Sequence, residues 1–136
     1  MKSRDTLIRL KRFQVDEKRR RVAQIEAMIA EFDRMAGDLD REIATEEQRA
    51  GITDLAHFAY PTYAKAARGR RDNLMQSAGE LKTQLDDAQA ELGEAFEALK
   101  KVEILQDRER GAERAAEAAR EQAAMDRIGL GRIARA

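Results

Sequence analysis

A seven-residue repeat of apolar side chains runs through most of the sequence and restricts what the chain can fold into. Residues spaced in this way occupy the a and d positions of a heptad, which together line one face of an α-helix. The first such row reads Ile8, Val15, Val22, Ile29, Ala36, Ile43 and Ala50. The second row reads Lys11, Lys18, Ile25, Phe32, Leu39 and Glu46. We call the line of a and d positions the seam.

A second pair of rows follows in the other half of the sequence and predicts a second helix. Its first row reads Tyr60, Ala67, Leu74, Leu81, Ala88, Ala95 and Val102. Its second row reads Ala64, Arg71, Ala78, Leu85, Leu92 and Leu99. The few Lys and Arg residues in the seam can lay their aliphatic carbons along it and keep the charge in water.

The segment between the two repeats is short, so the two helices must run antiparallel. Gly51 stands where a glycine would end the first helix, and Pro61 suits the first turn of the second. The sequence therefore predicts an all-α fold, a long two-helix antiparallel coiled-coil hairpin with a longer second helix. The predicted bounds within one domain, residues 1–136, are helix 1 at about 3–50, a loop at 51–60, helix 2 at about 61–127, and a flexible tail at 128–136.

The two seams match in one register, in which paired residue numbers add up to 110. Large residues then face alanines, as in the pairs of Val22 with Ala88 and of Phe32 with Ala78. No layer places one charge against another. An alternative is that each segment dimerises separately with another chain, but that arrangement does not explain the matching of large residues with alanine.

Composition argues against an enzyme. Ala, Glu, Lys, Leu and Arg supply more than half of the residues, and the aromatic residues are four Phe and two Tyr. The chain has no Cys, and its one His is His57 in the predicted loop. A catalytic triad or a Cys or His metal cluster cannot be assembled from this set. We therefore expect no catalytic residues, no cofactor and no metal.

A basic run, Lys18 to Arg21, is the best candidate for nucleic-acid binding. However, it lies within the predicted hairpin, Lys18 is a seam residue, and Asp16 and Glu17 precede it. A solvated helix face is the favoured interpretation, an acidic protein partner comes second, and nucleic acid is not expected. The charged N-terminus does not fit a signal peptide, and no segment is apolar enough to span a membrane. We expect a cytoplasmic protein.

Two groups of residues outside the seam are candidates for contact with partners. At the open end of the hairpin, away from the loop, these are Leu7, Leu10, Phe13, Ile104 and Leu105. At the tip they are Phe58, Tyr63, Arg68 and Arg70. Each group has a structural alternative. The open-end residues could widen the seam or be covered by the overhanging second helix, and the tip aromatics could close the end of the hairpin.

The sequence resembles the FliJ family of flagellar type III export proteins, which are related to the stalk proteins of type III secretion. The resemblance covers essentially the whole chain. It rests on the hairpin architecture, on the basic N-terminal stretch Leu7-Ile8-Arg9-Leu10-Lys11, and on the tip segment from Ala50 to Tyr63. That tip segment is similar to alphaproteobacterial members in particular.

The resemblance implies a non-enzymatic central stalk of the flagellar export ATPase complex. In this family the open end of the hairpin sits in the ATPase ring, the tip side reaches the membrane export gate, and export chaperones are escorted. Association with the membrane would then be peripheral, through the export apparatus. A free-standing coiled-coil chaperone or adaptor for export clients is the alternative.

Overall fold

The chain forms two helices, and the second is the longer. In the computed structural model, residues 2–52 and 60–135 are described, with side chains described at 3–49 and 62–134. Helix α1 spans Lys2–Ile52 and helix α2 spans Tyr60–Arg135. The described residues contain no strand. The predicted all-α hairpin with a longer second helix is confirmed, and no helix in the described ranges is long and apolar enough to cross a membrane.

The C-terminal end of α1 differs from the prediction. Gly51 lies inside the helix, which continues to Ile52, and no glycine among the described residues has a positive φ. The prediction that Gly51 caps the helix is therefore wrong. A single glycine inside a helix costs only about 1 kcal/mol relative to alanine, so its presence does not by itself end a helix.

The C-terminal end of α2 also lies beyond its predicted position near residue 127. The helix continues through Gly129 and Gly131 to Arg135. These glycines weaken a helix but leave every backbone hydrogen bond possible, whereas a proline would have removed one. No proline follows Pro61 in the sequence, so nothing in this segment forces the helix to end.

The described chain divides into two compact units, and each contains a part of both helices. Unit 2 is Val15–Glu94. One core cluster in it consists of Val22, Ile25, Leu81 and Ala88, against which Ile29, Phe32, Leu85 and Leu92 pack. A second cluster consists of Leu39, Ile43 and Ala67, with Leu74 packed against it. All of these residues are predicted seam residues, so the core of unit 2 is the seam.

Polar contacts between the helices of unit 2 agree with the predicted register. Lys18 Nζ donates to Glu91 Oε2 at 2.9 Å, and Arg71 Nη1 donates to Asp40 Oδ1 at 2.9 Å. Near the tip, Arg68 donates to Glu47 at 2.7 Å. The residue numbers of these pairs add up to 109, 111 and 115. The antiparallel register with a sum of 110 therefore also describes the contacts beside the seam.

Size matching across the seam is visible in the buried residues of unit 2. Ala88 and Val22 are both buried in one cluster, and Ala67 and Ile43 are both buried in the other. An alanine in each pair leaves room for the larger partner, so the two helices can approach closely without a void.

Unit 1 consists of Met1–Gln14 and Ala95–Ala136. Ile8 and Leu99 are its buried seam residues. Ion pairs join the two helix segments, from Arg4 to Glu109 and from Arg110 to Asp5 at 3.8 Å. Asp5 also accepts a hydrogen bond from the Gln106 amide. These contacts show that the same antiparallel pairing holds within unit 1.

The register in unit 2 can be tested with paired cysteines, because the natural chain has none. We expect the double variant Ile25→Cys, Leu85→Cys to form an intrachain disulfide on mild oxidation. The control variant Ile25→Cys, Ala78→Cys shifts one cysteine by seven residues, which is about 10 Å along the helix and too far for a disulfide. Titration of free thiols distinguishes the two, and efficient oxidation of the control alone would contradict the register.

Size matching predicts that a larger residue at Ala88 destabilises the fold. We expect Ala88→Leu to lower the free energy of unfolding by about 1 to 3 kcal/mol, because the added carbons must displace Val22. Adding Val22→Ala restores the space, so the double variant should be more stable than Ala88→Leu alone. The exposed residue Ala90 provides the control, since Ala90→Leu should change stability little. Urea unfolding monitored by circular dichroism measures all of these changes.

Candidate interaction surfaces

The five candidate residues of the open end all lie in unit 1, and all are exposed. Leu7 is the least exposed at 39% and Phe13 the most at 53%, and Leu10, Ile104 and Leu105 lie between them. We call these five residues the open-end surface. Because they remain exposed, neither the seam nor the rest of unit 1 covers them in the described chain.

Helical spacing explains why this surface stays outside the seam. At 100° per residue, Leu7, Leu10 and Phe13 lie about 100°, 160° and 140° around the helix from the seam residue Ile8. On α2, Ile104 follows the half-buried seam residue Val102 by two residues and so lies on nearly the opposite side of the helix. The surface therefore extends around both helix segments.

The open-end surface is apolar with basic residues between its members. Arg9 and Arg12 are exposed and alternate along α1 with Leu7, Leu10 and Phe13. Large exposed apolar side chains flanked by arginine are typical of the buried centre of protein interfaces. The open-end surface thus combines large apolar side chains with the positive charge of Arg9 and Arg12.

At the tip, the structure describes three of the four candidate residues, and Phe58 lies outside the described residues. Tyr63 is 41% exposed, and its hydroxyl donates a hydrogen bond to Glu42 Oε2 at 3.2 Å. Desolvation raises the pKa of Tyr63 above its usual value, and the hydrogen bond to Glu42 makes a smaller contribution in the same direction. The hydroxyl is thus held protonated beside α1, while part of the ring remains accessible.

The three arginines after the tip differ in their contacts. Arg71 is half buried. It pairs with Asp40 at 2.9 Å and with Asp72 at 3.1 Å, and these hydrogen bonds raise its pKa. Arg68 pairs with Glu47. Among the described residues, Arg70 has no ion-pair partner, and it lies beside Met35 and Asn73 in an open groove. Arg70 is therefore the cation of this group that is available to a partner.

The basic run Lys18 to Arg21 lies among carboxylates. The hydrogen bond from Lys18 lowers the pKa of Glu91, and Arg19 lies 3.9 Å from Asp16. Arg21 lines a shallow groove together with Asp87 and Glu91. These neighbours offset much of the positive charge, as expected for a solvated helix face. Within the described ranges, no group of three His, Asp or Glu side chains could hold a metal ion.

The C-terminal part of α2 carries apolar residues that the sequence analysis did not single out. Met125, Ile128, Leu130 and Ile133 are all more than half exposed. They lie in and next to residues 128–136, which the sequence predicts to be a flexible tail rather than a part of the helix. Their presence in a segment otherwise rich in Ala, Glu and Arg was the signal that could have identified them.

Comparison with known proteins identifies the family of this chain. The family model described as Flagellar FliJ protein matches residues 1–136, which is the entire chain. No curated protein and no solved structure matches it. The resemblance inferred from the sequence is thereby confirmed. The chain belongs to the FliJ family, whose members have a role in flagellar protein export.

Proposed function

We propose that this chain is the non-enzymatic central stalk of the flagellar export ATPase complex. Its open-end surface contacts the ATPase ring, its tip contacts the membrane export gate, and it assists the handling of export chaperones. The observation that carries this proposal is the exposure of five large apolar side chains together in unit 1, each at least 39% exposed.

The energetics of these side chains support a binding role. Burying a Leu, Ile or Phe side chain fully contributes about 1.5 to 3 kcal/mol, of which the described chain gains only a part at these five positions because each stays at least 39% exposed. A partner that encloses them gains this free energy, and the intervening arginines orient it by charge. A ring with an apolar inner surface would provide such an enclosure for two helix segments lying side by side.

The fold of unit 2 suits a component that links two partners. Its core is a continuous seam, its register is fixed by size matching, and cross-helix ion pairs lie beside it. Such a hairpin resists sliding of one helix along the other, because a shift would place large residues against each other. The exposed ring of Tyr63 and the unpaired Arg70 then present a contact surface at its tip.

A free-standing chaperone or adaptor for export clients is the second candidate. The observation that favours it is the exposure of Met28, Met35 and Met75 on unit 2. Methionine side chains are flexible and polarisable, and they are common on surfaces that bind several different partners. This function would require binding of clients when the ATPase ring is absent.

The role of the open end can be tested by stimulation of the export ATPase. We expect the wild-type chain to increase the turnover rate of the assembled ring, and Phe13→Asp to raise the concentration needed for half-maximal stimulation about tenfold or more. The reason is that a carboxylate at this position cannot enter an apolar pocket. Steady-state phosphate release measured against chain concentration gives both values.

The matched control is Met75→Asp, which places the same charge at an equally exposed residue of unit 2. It should leave stimulation unchanged. If Phe13→Asp and Met75→Asp stimulate as the wild type does, or if the wild type has no effect on the ring, the ring contact is wrong. Client binding that persists without the ring would then favour the adaptor function.

The proposed contact at the tip predicts a loss of binding to the export gate that is separate from any effect on the ATPase. We expect Arg70→Glu and Tyr63→Ala each to weaken binding to the soluble domain of the export gate about fivefold to tenfold, while stimulation of the ATPase stays at the wild-type level. Lys82→Glu makes the same charge change at an exposed position of α2 and serves as the control. Fluorescence anisotropy measures the affinity, and equal affinities for Arg70→Glu, Tyr63→Ala and the wild type would exclude this surface.

A further inference from the structure

The C-terminal part of α2 has a continuous outer face without a partner in the described chain. Every residue from 111 to 134 is exposed. At 100° per residue, one side of this helix collects small and apolar residues. They include Ile104, Ala112, Ala115, Ala119 and Leu130. Arg108, Gln122 and Asp126 lie on the same side, and we call this side the outer face.

The outer face is distinct from the seam. Ile104 lies on it, and Ile104 is rotated by about 200° from the seam residue Val102. Within unit 1, polar contacts to α1 come from other residues of α2, among them the Leu105 carbonyl, Gln106, Glu109 and Arg110. A further helix could therefore pack on the outer face without displacing α1.

The residues of the outer face are arranged symmetrically about residue 117. Ile104 and Leu130 lie at equal distances from it, as do Arg108 and Asp126, Ala112 and Gln122, and Ala115 and Ala119. The first pair is apolar with apolar, and the second is positive with negative. In the third a small residue faces a medium-sized one, and in the fourth both residues are small. Two antiparallel copies of this helix would place each residue opposite its complement in the other copy.

The charged residues of the outer face favour the same arrangement. Arg108 precedes the central alanines and Asp126 follows them. In two antiparallel copies, Arg108 of one meets Asp126 of the other, so the interface contains two opposite-charge pairs. Neither side chain forms an ion pair within the described chain, and Asp126 accepts a hydrogen bond from the Gln122 amide of the same helix at 3.1 Å. A parallel pair would instead place Arg108 against Arg108 and Asp126 against Asp126.

From these observations we infer that the outer face of α2 binds a second copy of this chain in antiparallel orientation, centred near residue 117. The paired stretch from Ile104 to Leu130 is about 40 Å long at the helical rise. Its central alanines allow the two helix axes to approach closely, and Ile104 and Leu130, which are 49% and 67% exposed, become covered at both ends. This inference does not depend on the proposed stalk role.

Self-association has a consequence for the open-end surface. Ile104 belongs both to that surface and to the outer face, so a second copy would cover part of the surface that the proposed function assigns to the ATPase ring. Self-association and ring binding would then exclude each other. The paired form would hold Ile104 out of water until the ring replaces the second copy.

The test is a charge exchange measured on the full-length chain by sedimentation velocity over a range of concentrations. We expect the wild type to dimerise, and Arg108→Asp and Asp126→Arg each to weaken dimerisation about tenfold, because each variant alone places like charges opposite each other in both pairs. An equimolar mixture of the two variants restores both opposite-charge pairs, so it should dimerise about as well as the wild type. Glu117→Arg, on the opposite side of the helix, should have no effect.

Orientation is tested by cysteines at Ala112 and Gln122. A mixture of the single variants Ala112→Cys and Gln122→Cys should form the mixed disulfide between the two chains, identified by mass spectrometry. Predominant disulfides between two copies of the Ala112→Cys chain would indicate a parallel pair and overturn the inference. A wild type that stays monomeric at several hundred micromolar, or a mixture of charge variants that dimerises no better than its components, would overturn it as well.

Discussion

The structure depends on the packing of small residues against large ones along the antiparallel seam. A two-helix hairpin has no third layer, so its core is a single line of side chains, and close approach of the helices is the main source of burial. Alanines at positions such as 67, 78 and 88 permit that approach where a larger residue lies opposite. The same matching sets the register, because a slip by one heptad would bring large residues together.

The register in turn decides which charged residues remain available at the surface. Lys18 and Arg71 are seam residues whose charged groups leave the seam and bind Glu91 and Asp40 on the facing helix. Arg68 reaches Glu47 in the same way. These ion pairs are exposed and contribute little to stability. Their importance lies in leaving Arg70 and the ring of Tyr63 as the part of the tip group that a partner can contact.

The seam could be predicted from the sequence because burial follows helical periodicity directly. Every seam residue whose side chain is described is buried or half buried, from Ile8 to Glu46 and from Ala64 to Val102. The helix ends at Gly51 and beyond residue 127 could not be predicted as reliably, since one glycine shifts the balance by only about 1 kcal/mol. The difference between Arg68 and Arg70 was also inaccessible, because it depends on which carboxylate of the facing helix lies within reach.

Because the seam is already filled by its own a and d residues, apolar residues elsewhere on the helices have no intramolecular layer to pack against. In a larger domain, an apolar residue off one interface usually packs in another layer, but a hairpin has none to offer. Leu10 and Phe13 on α1 and Leu130 and Ile133 on α2 therefore lose no intramolecular contact when a second molecule covers them. Exposing these side chains to water has a free-energy cost for the isolated chain, and association with a second molecule removes that cost. Since Ile104 belongs both to the open-end surface and to the outer face of α2, this one residue would be covered in either of the two proposed associations.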